Sequence, residues 1–282
     1  MKARHVLCIV AAAMVATAAF SNPLFAEWTV TYLHPAGYDY SAAEGVSGGQ
    51  QVGEAYGPAT SGNAHANLWS GTPASRVDLN PAGYTGSYAL GIAGGQQVGG
   101  AWGSATGGNH HASLWSGTAA SWVDLNPAGY DHSGACGISG GQQVGRAYGS
   151  ATGGYEHASL WSGTAASWVD LNPAGSTVSK AHAVSGGYQA GWSTGPATGG
   201  RTHASLWSGT AASWVDLHAF LDPRLTVSDA RGIEVSGKDI WVAGFASGEA
   251  VLWHNVIPEP SSFLALLGGL AGLTGTLWRR RK

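Results

Sequence analysis

Apolar and polar residues alternate in short runs along the middle of the chain. In HASLWSG (157–163), Ala158 and Leu160 fall on one face of an extended segment while His157, Ser159 and Trp161 fall on the other, so neither face is plainly polar. Residues 137–172 hold four such runs: GIS, QQVGRAYG, HASLWSG and ASWVDLNP. They are separated by Gly-Gly, by SATGG, which reads as flexible, and by the Gly-Thr-Ala turn after Trp161. Runs this short, bounded by Gly, Ser, Asn and Pro, predict four strands in a meander. Outside the termini no window keeps an apolar spacing of three and four, so no helix is predicted there.

The pattern recurs. Residues 111–129 are repeated letter for letter at 157–175, and His65, His111, His157 and His203 are spaced by 46, as are Asp78, Asp124, Asp170 and Asp216. Trp69, Trp115, Trp161, Trp207 and Trp253 carry the step to five members. Four-stranded units of roughly 40–50 residues fit the blades of a β-propeller. The segment WTVTYLHPAGY (28–38) aligns with the fourth strand of a unit, and the chain ends its last unit on a third strand around Leu252. The prediction is therefore an all-β, five-bladed β-propeller over residues 27–257, closed by the N-terminal strand completing the last blade. Closure would also remove two exposed strand edges. A solenoid or a sandwich is the rival architecture, but neither end reads as a polar cap.

The termini read differently. Lys2 and Arg4 precede an apolar run from Val6 to Phe20 and a small residue at Ala26, the layout of a secretory signal peptide over residues 1–26. That run is shorter than the ~20 residues needed to span a bilayer. At the other end, Ser261–Trp278 carries no charge and is closed by Arg279, Arg280, Arg281 and Lys282, which predicts an apolar helix with a cytoplasmic basic end. Pro258-Glu259-Pro260, this apolar stretch and the Arg-rich end together resemble the PEP-CTERM sorting signal of Gram-negative bacteria. The resemblance implies a tail over 258–282, cleavage by an exosortase near Pro258, Glu259 and Pro260, a transient hold on the inner membrane and delivery to the cell surface or extracellular matrix. The repeat motif, A-x-GIS-GGQQVG, HASLW and VDLN, resembles the HAF repeat of exported bacterial proteins, with Ser113, Ser159 and Ser205 (Asn67 in the first repeat) where that motif has Phe.

Charge narrows the partners. Between Glu27 and Ile257 there are 7 Lys and Arg against 15 Asp and Glu, a net charge of −8. Such a body repels phosphate backbones, so nucleic acid is not an expected partner. Cys136 is the lone cysteine of the body, so no internal disulfide is expected.

Candidate chemistry is sparse. Four histidines at one repeat position suggest a metal ring, but residues on separate blades converge only on a central axis, and these open the third strand, so no metal is expected. The Asp of VDLN, once per blade, would not supply the carboxylates roughly 5–10 Å apart that glycoside hydrolysis needs. The acids that break the repeat (Glu44, Glu54, Asp131, Glu156, Asp222, Asp229) are scattered over loops. No catalytic residues and no cofactors are expected. Aromatics are the remaining group: Trp122, Trp168 and Trp214 on the predicted outer, fourth strand, and Tyr56, Trp102 and Tyr148 ending the second, are candidates for stacking on a sugar face. The layout is similar to five-bladed lectins of the tachylectin type. The reading is an exported, non-enzymatic surface or matrix scaffold whose partners are the exosortase, the export machinery and extracellular polysaccharide. Its alternatives are a multivalent lectin and a glycoside hydrolase.

Overall fold

The computed structural model describes residues 29–257. The leader with Ala26 and the tail with Pro258, Glu259 and Pro260 lie outside the described residues. Residues 32–257 form one compact unit.

Five antiparallel sheets follow one another along the chain. Sheet 1 holds β1 (Tyr40–Ser47), β2 (Gln50–Tyr56), β3 (His65–Trp69) and β4 (Val77–Asp78). Sheet 2 holds β5 (Tyr84–Ala93), β6 (Gln96–Gly103), β7 (His111–Trp115) and β8 (Val123–Asp124). Sheet 3 holds β9 (His132–Ser139), β10 (Gln142–Tyr148), β11 (His157–Trp161) and β12 (Val169–Asp170). Sheet 4 holds β13 (Val178–Ser185), β14 (Tyr188–Thr194), β15 (His203–Trp207) and β16 (Val215–Asp216). Sheet 5 holds β17 (Ser228–Ser236), β18 (Asp239–Ala246) and β19 (Glu249–Val256).

Local chemistry explains each boundary. Gly140 and Gly141 both have positive φ (58° and 79°), the conformation a two-residue hairpin requires between β9 and β10. Gln143, almost fully buried, locks this turn: its Nε2 donates to Gly141 O at 2.8 Å and its Oε1 accepts from Gly163 N at 2.7 Å. SATGG, which the sequence offers only as a connector, opens with a 3-10 turn, Ser150–Thr152. The Thr152 hydroxyl donates to Gly149 O and accepts from Gly149 N. The fourth strand is shorter than predicted because Ala165–Ser167 is also a 3-10 turn, leaving only Val169 and Asp170 to pair with β11.

The sheets stack through small apolar cores. Between sheets 2 and 3, Val98, Ala112, Leu114 and Leu125 meet Ala135, Ala147 and Trp161 of the following sheet. A closely similar core lies between sheets 3 and 4, with Val144, Ala158, Leu160 and Leu171 against Ala181, Val184 and Trp207. Ala158 and Leu160 thus face forward and Trp161 backward along the stack.

The predicted closure is not found among the described residues. Residues 29–39 form no strand, and sheet 5 has three strands rather than four. Leu252, expected beside the N-terminal strand, is 63% exposed. Equal spacing along the chain set the register of the two ends but not whether they meet; the described residues form five antiparallel sheets, and a closed ring is not shown among them.

Candidate functional site

The repeated polar residues form a frame. His111 Nδ1 lies 2.8 Å from Asp124 Oδ2, and His65, His157 and His203 pair in the same way with Asp78, Asp170 and Asp216. The other carboxylate oxygen caps the next turn, as Asp124 Oδ1 accepts from Asn126 N at 2.8 Å. Each histidine is thereby tied within its own sheet, stapling the third strand to the short fourth. At Asp78 burial raises the pKa, but the His65 and Asn80 bonds and the charges of His65 and Arg76 more than offset it, holding the carboxyl below its usual range.

The tryptophans before the fourth strand also belong to the frame. Trp122, Trp168 and Trp214 donate their indole N–H to Ser113, Ser159 and Ser205 at 2.8–2.9 Å. Trp122 and Trp168 pack on Tyr84 and Tyr130, ring centroids 4.7 Å apart. This accounts for the recurrence of Ser at this position of the repeat. The first repeat makes the same link with other residues, Arg76 Nη1 donating to Asn67 Oδ1 while its guanidinium lies over Tyr38. Ser159→Ala should lower stability by about 1–2 kcal/mol. Urea unfolding of the single and double variants with Trp168→Phe should show the two losses to be non-additive. The pair Ser159→Asn with Trp168→Arg, copied from the first repeat, should restore most of the stability.

The second-strand aromatics behave differently. Tyr56 stacks on Tyr40 (4.9 Å), Trp102 on His110 (4.5 Å) and Tyr148 on His132 (4.6 Å). Tyr148 lines a cavity of about 280 Å³, shared with Tyr88, His110, His132, Ser133 and Arg146. The cavity is half open and lies at the junction of sheets 2 and 3.

The walls of this cavity are where the repeat departs from itself. Tyr88 stands where the other repeats have Ala42, Gly134 and Lys180; His110 replaces Ala64, Glu156 and Thr202; Arg146 replaces Glu54, Gly100 and Trp192. Gly100 makes the room, since a Cβ there would come within 2.7 Å of the Tyr88 ring. Arg146 Nε bonds Glu156 Oε1 at 2.8 Å. Burial, then the charges of His132 and Arg146, lower the His110 pKa, so its imidazole is neutral at pH 7. Burial pushes the Tyr88 phenol up, keeping it a neutral hydrogen-bonding group. No carboxylate lines this cavity. Sequence reasoning missed Tyr88, His110, His132 and Arg146; comparison of each repeat with the next would have picked them out.

Two other expectations bear on chemistry. Among the described residues no cluster of His, Cys, Asp and Glu is placed to hold a metal ion. Cys136 is unpaired, and burial pushes its thiol pKa up, away from reactivity.

The described body ends at Ile257, whose amide donates to Lys238 O at 2.7 Å, immediately before Pro258. Residues 256–282 match the PEP-CTERM protein-sorting motif. The PEP-CTERM motif implies export to the envelope or surface of a Gram-negative bacterium and processing by an exosortase. No curated protein matches the chain. Among solved structures, 84% of the chain is similar to 49% of a puromycin hydrolase mutant in complex with PGG, at 12% identity and a TM-score of 0.32. That superposition is too loose to bear on fold or activity.

Proposed function

We propose that the protein is an exported, non-enzymatic scaffold of the cell surface or its matrix that holds a saccharide in the cavity between sheets 2 and 3. The observation that carries this reading is the departure from the repeat: residues far apart in sequence bring the stacked Tyr148–His132 pair, the Tyr88 phenol, the neutral His110 imidazole and the Arg146 guanidinium around one half-open space. Stacked rings with polar edges suit the alternating C–H and hydroxyl faces of a sugar. The PEP-CTERM motif and the HAF-like repeats support a place where extracellular polysaccharide is the abundant partner. Hydrolysis is disfavoured because it needs two carboxyl groups across the scissile bond, and no carboxylate lines the cavity.

The test is calorimetric titration of the full chain, in mild detergent, with the producer's own extracellular polymer and with its monosaccharides up to millimolar concentration. Saturable binding is expected, with at least a tenfold loss in the Tyr148→Ala variant and a smaller loss in Arg146→Gln. Absence of binding to every saccharide, or equal binding by the variants, refutes the reading.

A further inference from the structure

One set of contacts joins each sheet to the next. The amides of Ser87, Ser133, Ser179 and Ser228 donate to the carbonyls of Ala64, His110, Glu156 and Thr202 in the preceding sheet at 2.8–2.9 Å. The hydroxyls of the same serines accept from the amides of Ala66, Ala112, Ala158 and Ala204 at 2.9–3.0 Å. Around these bonds the forward-facing Ala and Leu of each third strand are covered. Ala204 is fully buried and Leu206 is 8% exposed.

The chain carries both halves of one more such junction, and both are open. On sheet 1, Ser41 stands where Ser87 stands in sheet 2. Its hydroxyl is bonded to His34 Nδ1 at 2.9 Å, as that of Ser87 is to Asn80. Val46, the counterpart of Ile92, is 72% exposed against 8% for Ile92. Tyr32, the counterpart of Asp78, is 82% exposed. On sheet 5, Gly248, Ala250 and Leu252 take the places of Thr202, Ala204 and Leu206, and all three are exposed. Sheet 5 lacks the fourth strand that sheets 1 to 4 have, and an apolar cavity of about 300 Å³ remains at its junction with sheet 4, lined by Leu206, Val215, Leu217, Ile240, Val242 and Trp253 among others.

We propose that a second copy of this chain completes sheet 5, so that copies join head to tail. The Thr31–Tyr32 segment of the incoming copy pairs with β19, Tyr32 opposite Val251 and Thr31 opposite Leu252, in the register that sets Asp78 opposite Asn67 and Val77 opposite Leu68 in sheet 1. Its Ser41 amide donates to Gly248 O, and its Ser41 hydroxyl accepts from Ala250 N. The argument is continuity: this face repeats an interface made four times inside the chain, and strand addition at an open edge supplies the missing backbone partners. The chain's own Leu33–Tyr38 segment is folded onto sheet 1, with Pro35 buried and His34 bonded to Ser41, which leaves both halves outward. The contact uses different surfaces on the two copies, so it propagates into a file rather than stopping at a dimer.

Paired cysteines test this in the full chain, purified in mild detergent with Cys8→Ser and Cys136→Ala. A chain with Ser41→Cys is mixed with a chain carrying Ala250→Cys and oxidised. A disulfide-linked dimer with one copy of each is expected, absent from either preparation alone, and a chain carrying both substitutions should give a ladder of multimers. No mixed dimer, or a double variant that yields only an internally linked monomer, overturns the proposal, the latter in favour of a closed ring. A measurement without cysteines stands beside it: the unmodified chain should gain mass with concentration by light scattering, and Leu252→Asp, at an exposed site, should return it to the monomer mass. A mass unchanged by that substitution overturns the proposal equally.

Discussion

Trp161→Ala is expected to lower stability by about 3–5 kcal/mol, in the range of large aromatic truncations in cores. The side chain is fully buried and projects from sheet 3 onto Val98, Ala112, Leu114 and Leu125 of sheet 2, so its loss empties the core of that junction rather than a surface groove. Its indole N–H is buried without a hydrogen-bond partner, as are those of Trp69, Trp115 and Trp207. Trp161→Phe removes that unsatisfied donor while keeping much of the ring, and should lose less than about half as much. Trp253 gives the internal comparison: it is only half-buried and donates to Leu217 O at 3.0 Å. Trp253→Ala should cost less than Trp161→Ala. Equal losses at the two sites, measured by denaturant unfolding, would show that sheet-to-sheet packing is not what these residues supply.

The second large effect is at a glycine whose backbone is not strained. Gly145 lies on β10 opposite Ala135, where β9 carries an irregularity in register. A Cβ at Gly145 would collide with the carbonyl oxygen of Gly134, with Gly134 C and Ala135 Cα close behind. These are backbone atoms of a paired strand and cannot swing aside. Gly145→Ala should therefore cost about 2–4 kcal/mol, the range reached when a substitution forces strain on a packed site. Gly134→Ala, one strand away, would meet only the Tyr88 hydroxyl at 3.4 Å and should change stability far less. Thermal melts of the two variants check the contrast. Gly53, Gly99 and Gly191 face the carbonyl of the first strand in their own sheets in the same way, which explains why this glycine recurs in the repeat.

Much of the fold was legible because the same physics is stated several times. The Gly-Gly turns and the 46-residue step located the first three strands of each unit. The fourth was overdrawn, because nothing in ASWVDLNP marks Ala165–Ser167 as a 3-10 turn until the Ser167 hydroxyl is seen accepting from Ser162 N and donating to Thr164 O. The constant separation of 13 between His157 and Asp170 was visible in the sequence, but their pairing across β11 and β12 depended on register. The cavity was hidden for the opposite reason: Tyr88, His132 and Arg146 belong to two repeats and are notable only for what they replace. Whether the two ends meet was not legible, because a match between two termini is satisfied equally within one molecule and between two.

The bonds between sheets have a consequence for how such a gene changes. Each runs only to the adjacent sheet, and residues 111–129 and 157–175 are identical. Loss or duplication of 46 codons within that stretch rejoins the chain in phase, with a seam already tried elsewhere in the same molecule. Loss or gain of one whole unit therefore leaves every remaining junction between sheets with the partners it already has.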